Sequence, residues 1–143
     1  MRFFSSWQAL ALASAFFAGL TAIFGKIGVA DINSNLATLI RTAVVLVVLA
    51  AIVAWRSDWQ PLASISSRTM VFLVLSALAT GASWLCYYHA LKLGPASRVA
   101  PIDKLSVVIA MVLALTFLGE SYTWRSLLGG ALVAAGAVLL ALP

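Results

Sequence analysis

Charge is what this sequence has least of. Only 9% of its residues are Asp, Glu, Lys or Arg, and 64% are hydrophobic. A soluble domain carries roughly 25% charged residues, so this composition excludes a water-soluble globular domain. A single cysteine, Cys86, excludes an intrachain disulfide and gives no redox compartment. With one histidine, one cysteine and four well-separated acids, the chain holds no set of metal ligands. It has no phosphate-cradling loop and no nucleophile–base constellation, so neither an enzyme nor a cofactor is expected. The longest polar connector, Arg56 to Thr69, leaves no room for a soluble catalytic domain. The formal net charge of +5 comes from basic residues scattered singly near the ends of apolar runs. There they face lipid headgroups, and no nucleic-acid partner is expected.

What the chain does have is five apolar stretches, each close to the roughly 20 residues that cross a bilayer. They predict an all-α, polytopic membrane protein with helices at about 7–27, 36–55, 70–91, 95–118 and 125–142. A signal peptide is the other reading of the first stretch, with Gly28-Val29-Ala30 offering small residues for cleavage. The stretch is long for a signal core, however, and Lys26 lies where such a core is apolar. It is therefore kept as the first span. The fourth stretch has two readings. Started at Pro101, it is a short helix with Asp103 near its N-terminus. Started at Pro95, it contains Pro101 as a kink and places Asp103 and Lys104 two turns in, ~12 Å deep at ~1.5 Å per residue. The longer reading is preferred.

Small residues repeat on two spans. Ala11, Ala15, Ala18, Ala22 and Gly25 form one stripe on the first, and Gly130, Ala134, Ala137 and Ala141 form another on the fifth. Lipid supplies no hydrophobic drive for helix association, so such stripes mark close packing in a bundle or at a dimer seam. Trp7, Trp55, Trp59, Tyr122 and Trp124 sit near span ends and read as interfacial anchors.

Charges at mid-membrane cost roughly 2.5–3.5 kcal/mol each on insertion scales and usually face a cavity or a partner. Lys26, Arg41, Asp103 and Lys104 are the candidates. Asp103 and Lys104 are adjacent on a helix, point about 100° apart and are not expected to pair with each other. Arg41 and Lys26 are the expected partners of Asp103. The other readings are that the basic residues snorkel to the interface and that Asp103 caps a helix. On the third span, Ser76, Thr80, Ser83 and Tyr87 share one face, with Trp84 and Tyr88 on the adjoining one. Such a face lines a polar path with an aromatic wall, or bonds to neighbouring helices. His89, near that span's end, reads as a headgroup-level residue.

The run Leu91-Lys92-Leu93-Gly94-Pro95-Ala96-Ser97-Arg98-Val99-Ala100 precedes an apolar helix and then Leu118-Gly119-Glu120. A polar turn with Trp124 follows, then Gly129-Gly130-Ala131 and Ala135-Gly136-Ala137. In that order these resemble the second half of an EamA domain, the repeat unit of the drug/metabolite transporter superfamily. Arg41 is similar to that pattern as well. The resemblance implies one EamA-like domain over 1–143, a single five-helix repeat where most members carry two. It implies a homodimer and export of a small organic solute, such as an amino acid, across a bacterial inner membrane. It places the first four spans around a cavity and reads Glu120 as structural. Pro101-Ile102-Asp103-Lys104 departs from the usual apolar pattern and implies a distinct substrate. The site residues that follow are Asp103 for coupling or gating, Lys104 and Arg41 for anionic groups, Trp84 and Tyr88 for the wall, and Thr80 and Tyr87 on the polar path. Two rivals stand beside this reading: a flippase for a lipid-linked carrier, and a membrane assembly or regulatory subunit that transports nothing.

Five spans put the termini on opposite sides. Arg2, Arg56, Arg68 and Arg125 then face Lys26, Lys92 and Arg98, four loop charges against three. The positive-inside rule needs a larger bias to fix orientation. Dual insertion would give an antiparallel dimer, an inverted repeat from one sequence. The test is a pair of reporters fused after Pro143, one active only inside the cell and one only outside. Dual insertion predicts signal from both; signal from one alone means a fixed orientation.

Overall fold

In the computed structural model, residues 7–142 are described. Arg2, counted above among the loop charges, lies outside them. Six α-helices follow one another: α1 Trp7–Gly28, α2 Ser34–Arg56, α3 Ser67–Leu93, α4 Ala96–Asp103, α5 Leu105–Leu113 and α6 Trp124–Ala141. A short 3₁₀ turn, Leu62–Ser64, interrupts the polar connector, and a π turn, Ala114–Leu118, ends α5. Among the described residues there is no strand. Helices α4 and α5 with the π turn form one apolar span, Ala96–Leu118, so five spans are long and apolar enough to cross a membrane.

The helix ends follow from local chemistry. Asn33 caps α2 by accepting the Asn35 backbone N–H at 2.8 Å. Ser66 accepts the Thr69 N–H at 3.1 Å ahead of α3, and Thr123 accepts the Ser126 N–H at 3.3 Å ahead of α6. Each satisfies a donor that the first helical turn leaves open. Pro95 immediately precedes α4, and Pro101 lies inside it. Gly119 closes the π turn at φ +66, a backbone state that favours glycine.

By backbone contacts the chain packs as two units: 28–92, and 7–27 with 93–142. In the second of these, α6 packs against α4 and α5. Gly130 and Ala137 of the α6 stripe are buried, so this stripe is used within the chain. On α1 only Ala22 and Gly25 of the stripe are buried, while Ala11, Ala15 and Ala18 are exposed. The Lys26 ammonium, at the end of α1, donates to the Gly94 carbonyl at 2.8 Å.

In the unit 28–92, Val29 and Leu91 are fully buried. Lys92 Nζ donates to the Ile32 carbonyl, and Ser34 Oγ shares a hydrogen bond with His89 Nδ1 at 3.3 Å. His89 is therefore tied to the start of α2. Large apolar side chains elsewhere stay outside: Leu46, Val47, Phe72 and Leu78 are all more than half exposed. Small residues inside and large ones outside is the arrangement that hydrocarbon solvent selects.

A β-carbon added at Gly130 would lie 2.9 Å from Met111 Sδ and 3.2 Å from its Cε. The Met111 tip is flexible and turns aside for one methyl. Gly130→Ala is therefore expected to be tolerated, whereas Gly130→Leu pushes α5 from α6 at a cost of roughly 1–3 kcal/mol. Thermal unfolding in detergent should show a lower midpoint for the leucine variant only. Gly136→Ala, where an added β-carbon meets nothing within 4 Å, serves as the control.

Candidate functional site

Within 28–92, α2 and α3 border a groove of about 550 Å³. Small-molecule sites typically occupy ~300–1,000 Å³. Leu39, Leu73, Ala77 and Leu85 make most of its wall apolar, and Thr38, Thr42, Ser76, Thr80 and Trp84 interrupt that wall. Ser76, Thr80 and Trp84 recur every fourth residue along α3, so one helical row carries hydroxyls and then an indole.

The Trp84 ring also carries a charge. The Arg41 guanidinium carbon lies 3.9 Å from the centroid of Trp84 and 5.6 Å from that of Tyr88. Trp84 and Tyr88 are one turn apart on α3, and Tyr88 is buried. Both rings turn electron-rich faces to the cation, an attraction of about 2 kcal/mol when desolvated. That offsets much of the ~2.5–3.5 kcal/mol insertion cost of a mid-span charge. It leaves hydrogen bonding unsatisfied. Among the described residues, Arg41 Nη1 is the one buried side-chain nitrogen or oxygen with no hydrogen-bond partner. A buried charged donor without an acceptor is costly, and an anion placed there would relieve that cost.

Tyr87 stands beside Tyr88 with ring centroids 6.3 Å apart, and it is not among the residues lining the groove. Thr80 lines it. Thr38 and Thr42 line it too, although sequence reasoning passed over them. Their signal is the Ser34, Thr38, Thr42 spacing of four along α2, which puts all three on one face.

Asp103 and Lys104 lie in the other unit, where the fourth span breaks. Helix α4 ends at Asp103, Lys104 has φ −71 and ψ −9, and α5 starts at Leu105. Lys104 Nζ reaches Asp103 Oδ2 at 3.1 Å. This corrects the expectation that the two cannot pair. The 100° separation belongs to an unbroken helix, and the flattened turn at Lys104 lets its long stem fold back. There the Lys104 N–H bonds the Pro101 carbonyl three residues back, and the Val107 N–H bonds the Lys104 carbonyl, also three residues back. Both side chains keep exposure, 34% for Asp103 and 52% for Lys104. Lys104 also borders a second, largely apolar groove of about 390 Å³ between α4 and α6.

The Glu120 backbone N–H donates to the Ala114 carbonyl at 3.3 Å beyond the π turn. Among the described residues no three metal-binding side chains gather.

Five apolar spans, with a guanidinium stacked on two rings of the third and a fourth span broken at an ion pair, define a multi-pass membrane protein. The chain matches the EamA-like transporter family over residues 5–142 and belongs to it. It is a membrane transporter of the drug/metabolite transporter superfamily. It is 60% identical over 136 residues to an uncharacterized transporter in the cobO 3′ region of a Sinorhizobium species, covering 95% of this chain and 96% of that one. It is 37% identical over 73 residues to the probable 4-amino-4-deoxy-L-arabinose-phosphoundecaprenol flippase subunit ArnF of Erwinia tasmaniensis, covering 50% of this chain and 58% of that one. A protein of Methanocaldococcus jannaschii is 29% identical over 75 residues, covering 52% of this chain and 55% of its own. No solved structure matches.

Asp103 and Lys104 neutralise each other, so removing one charge should hurt more than removing both. Asp103→Asn and Lys104→Gln are each expected to lower the amount of inserted protein, and the double variant is expected to restore it. Quantifying membrane-fraction protein for the four forms checks this.

Proposed function

We propose that this protein exports a small polar metabolite with a carboxylate or similar anionic group, such as an amino acid, across a bacterial inner membrane. It works as a dimer of inverted five-helix repeats. The observation that carries the reading is the Arg41 guanidinium, stacked on the groove-lining Trp84 with Nη1 unbonded. The anion of the substrate takes that open N–H. Trp84 and Tyr88 hold the guanidinium in place, with Tyr87 beside Tyr88, and Thr80 offers a hydroxyl to the solute. The apolar wall accepts the rest of the molecule.

Asp103 is the coupling or gating charge. Opening of its ion pair would make Lys104 available to an anion. A break in a membrane helix at an ion pair is a common place for substrate and coupling-ion chemistry, with alternating access carried by one repeat rocking against the other.

A second reading is supported by the likeness to the ArnF flippase subunit over half of this chain. In that reading Arg41 takes the phosphate of a lipid-linked carrier, and the apolar wall lies along its hydrocarbon. The same likeness keeps the role of a subunit in view.

Reconstituted protein distinguishes these. With a water-soluble amino-acid mixture in proteoliposomes, Arg41→Gln is expected to lower apparent affinity by about ten-fold or more, the size of a lost charged hydrogen bond. Arg41→Lys is expected to restore only part of it, because an ammonium stacks less well on an indole face. Equal transport by all three forms would overturn the role of Arg41. Transport of a phospho-linked polyprenyl substrate alone would select the flippase.

A further inference from the structure

The buried residues of the unit 28–92 all lie near one end of it. Val29, Ser34, Ala37 and Thr38 come from the linker and the first turns of α2, Tyr88 and Leu91 from the last turns of α3. Two polar bonds join the same segments, Lys92 Nζ to the Ile32 carbonyl and Ser34 Oγ to His89 Nδ1. One more link lies a turn further along α2, where the Arg41 guanidinium stacks on Trp84 and Tyr88. From 39 to 87 no residue is buried. Thr42 and Thr80, on the two helices, each bond to their own helix.

The groove has the shape that this uneven fastening gives. Its α3 wall runs from Leu73 to Leu85, roughly 18 Å at ~1.5 Å per residue. Its α2 wall runs only from Asn35 to Thr42, ~10 Å on the same scale. A β-carbon added at Gly81, in the longer wall, would meet nothing within 4 Å. Beyond Arg41, then, α2 stands off from α3. Lipid gives the two helices no hydrophobic drive to close that gap. The connector at the far end does not pin them, since 57–66 is exposed at every position except Ile65.

We propose that α2 and α3 are two arms on a fixed pivot at 29–38 and 88–92, and that the Arg41 stack is the catch limiting how far their other ends part. Segments with few buried contacts move at low cost, and a packed cluster does not. A cation is held by a ring face within about 6 Å of the centroid. Trp84 at 3.9 Å is well inside that reach, and Tyr88 at 5.6 Å is close to its edge. A small parting of the arms therefore opens the catch. This device goes beyond the choice of solute and holds whichever solute the groove takes.

The test is double electron–electron resonance between paired spin labels on full-length protein in nanodiscs. Cys86→Ser removes the native thiol and gives the background. Leu36→Cys with Leu93→Cys places one pair beside the pivot, and Ile52→Cys with Phe72→Cys places another at the far ends. All four positions are exposed. Unlabelled copies are added in excess, so that only labels on the same chain are read. The background protein is expected to give a wider spread of distances for the far pair than for the pivot pair. Arg41→Gln and Trp84→Leu, which undo the catch from opposite arms, are each expected to shift the far pair to longer distances and leave the pivot pair unchanged. Equal, narrow spreads for both pairs in the background protein overturn the proposal, and this comparison needs neither catch variant to fold. A far pair that neither variant moves overturns the catch. Lengthening of both pairs together overturns the pivot.

Discussion

Hydrocarbon has no hydrogen bonds to give, and most of this structure is a set of responses to that constraint. Every donor placed in it must find an acceptor within the protein. The threonines return their protons to their own helices. Lys26 and Lys92 end on the backbone carbonyls of Gly94 and Ile32. Asp103 and Lys104 end on each other. Arg41 departs from the pattern: its charge is met by aromatic faces, which compensate charge and accept no conventional hydrogen bond. Its Nη1 is left buried without a hydrogen-bond partner in a medium that penalises that state.

The same solvent decides the packing. Because large apolar side chains gain nothing by leaving lipid, they stay on the surface, and glycine and alanine mark the close approaches. The buried Gly130 and Ala137 on α6 follow that rule. The fourth span is the exception to regularity. Pro101 interrupts its bonding, Lys104 flattens the next turn, and a π turn closes it at Gly119. Three departures from regular helix bonding fall within this one span. It is also the span that carries an ion pair.

Much of this is legible in the sequence. The five spans are read from hydrophobic length alone, and the fifth-span stripe from its spacing. Arg41 stands out because a charge in an apolar run is expensive, and Trp84 and Tyr88 share a face at a spacing of four. The Asp103–Lys104 pair is not legible. Adjacent positions cannot meet on an ideal helix, and a proline marks that a helix is disturbed without saying which turn flattens. Thr38 and Thr42 are missed for a different reason. Threonine in a membrane helix reads as packing, and only the direction of its proton shows whether an acceptor is left over. Ser34 and His89 lie 55 residues apart, so nothing local to either announces their bond.

The lysine bonds set a condition on how the chain can be made. Lys26 and Gly94 are separated by 68 residues, and Ile32 and Lys92 by 60. Neither bond can form until the ribosome has translated past the third span. The first span is therefore synthesised before its carbonyl partner exists. Assembly of these connections waits for the end of the third span and does not proceed span by span. A chain that ends before Lys92 has neither connection.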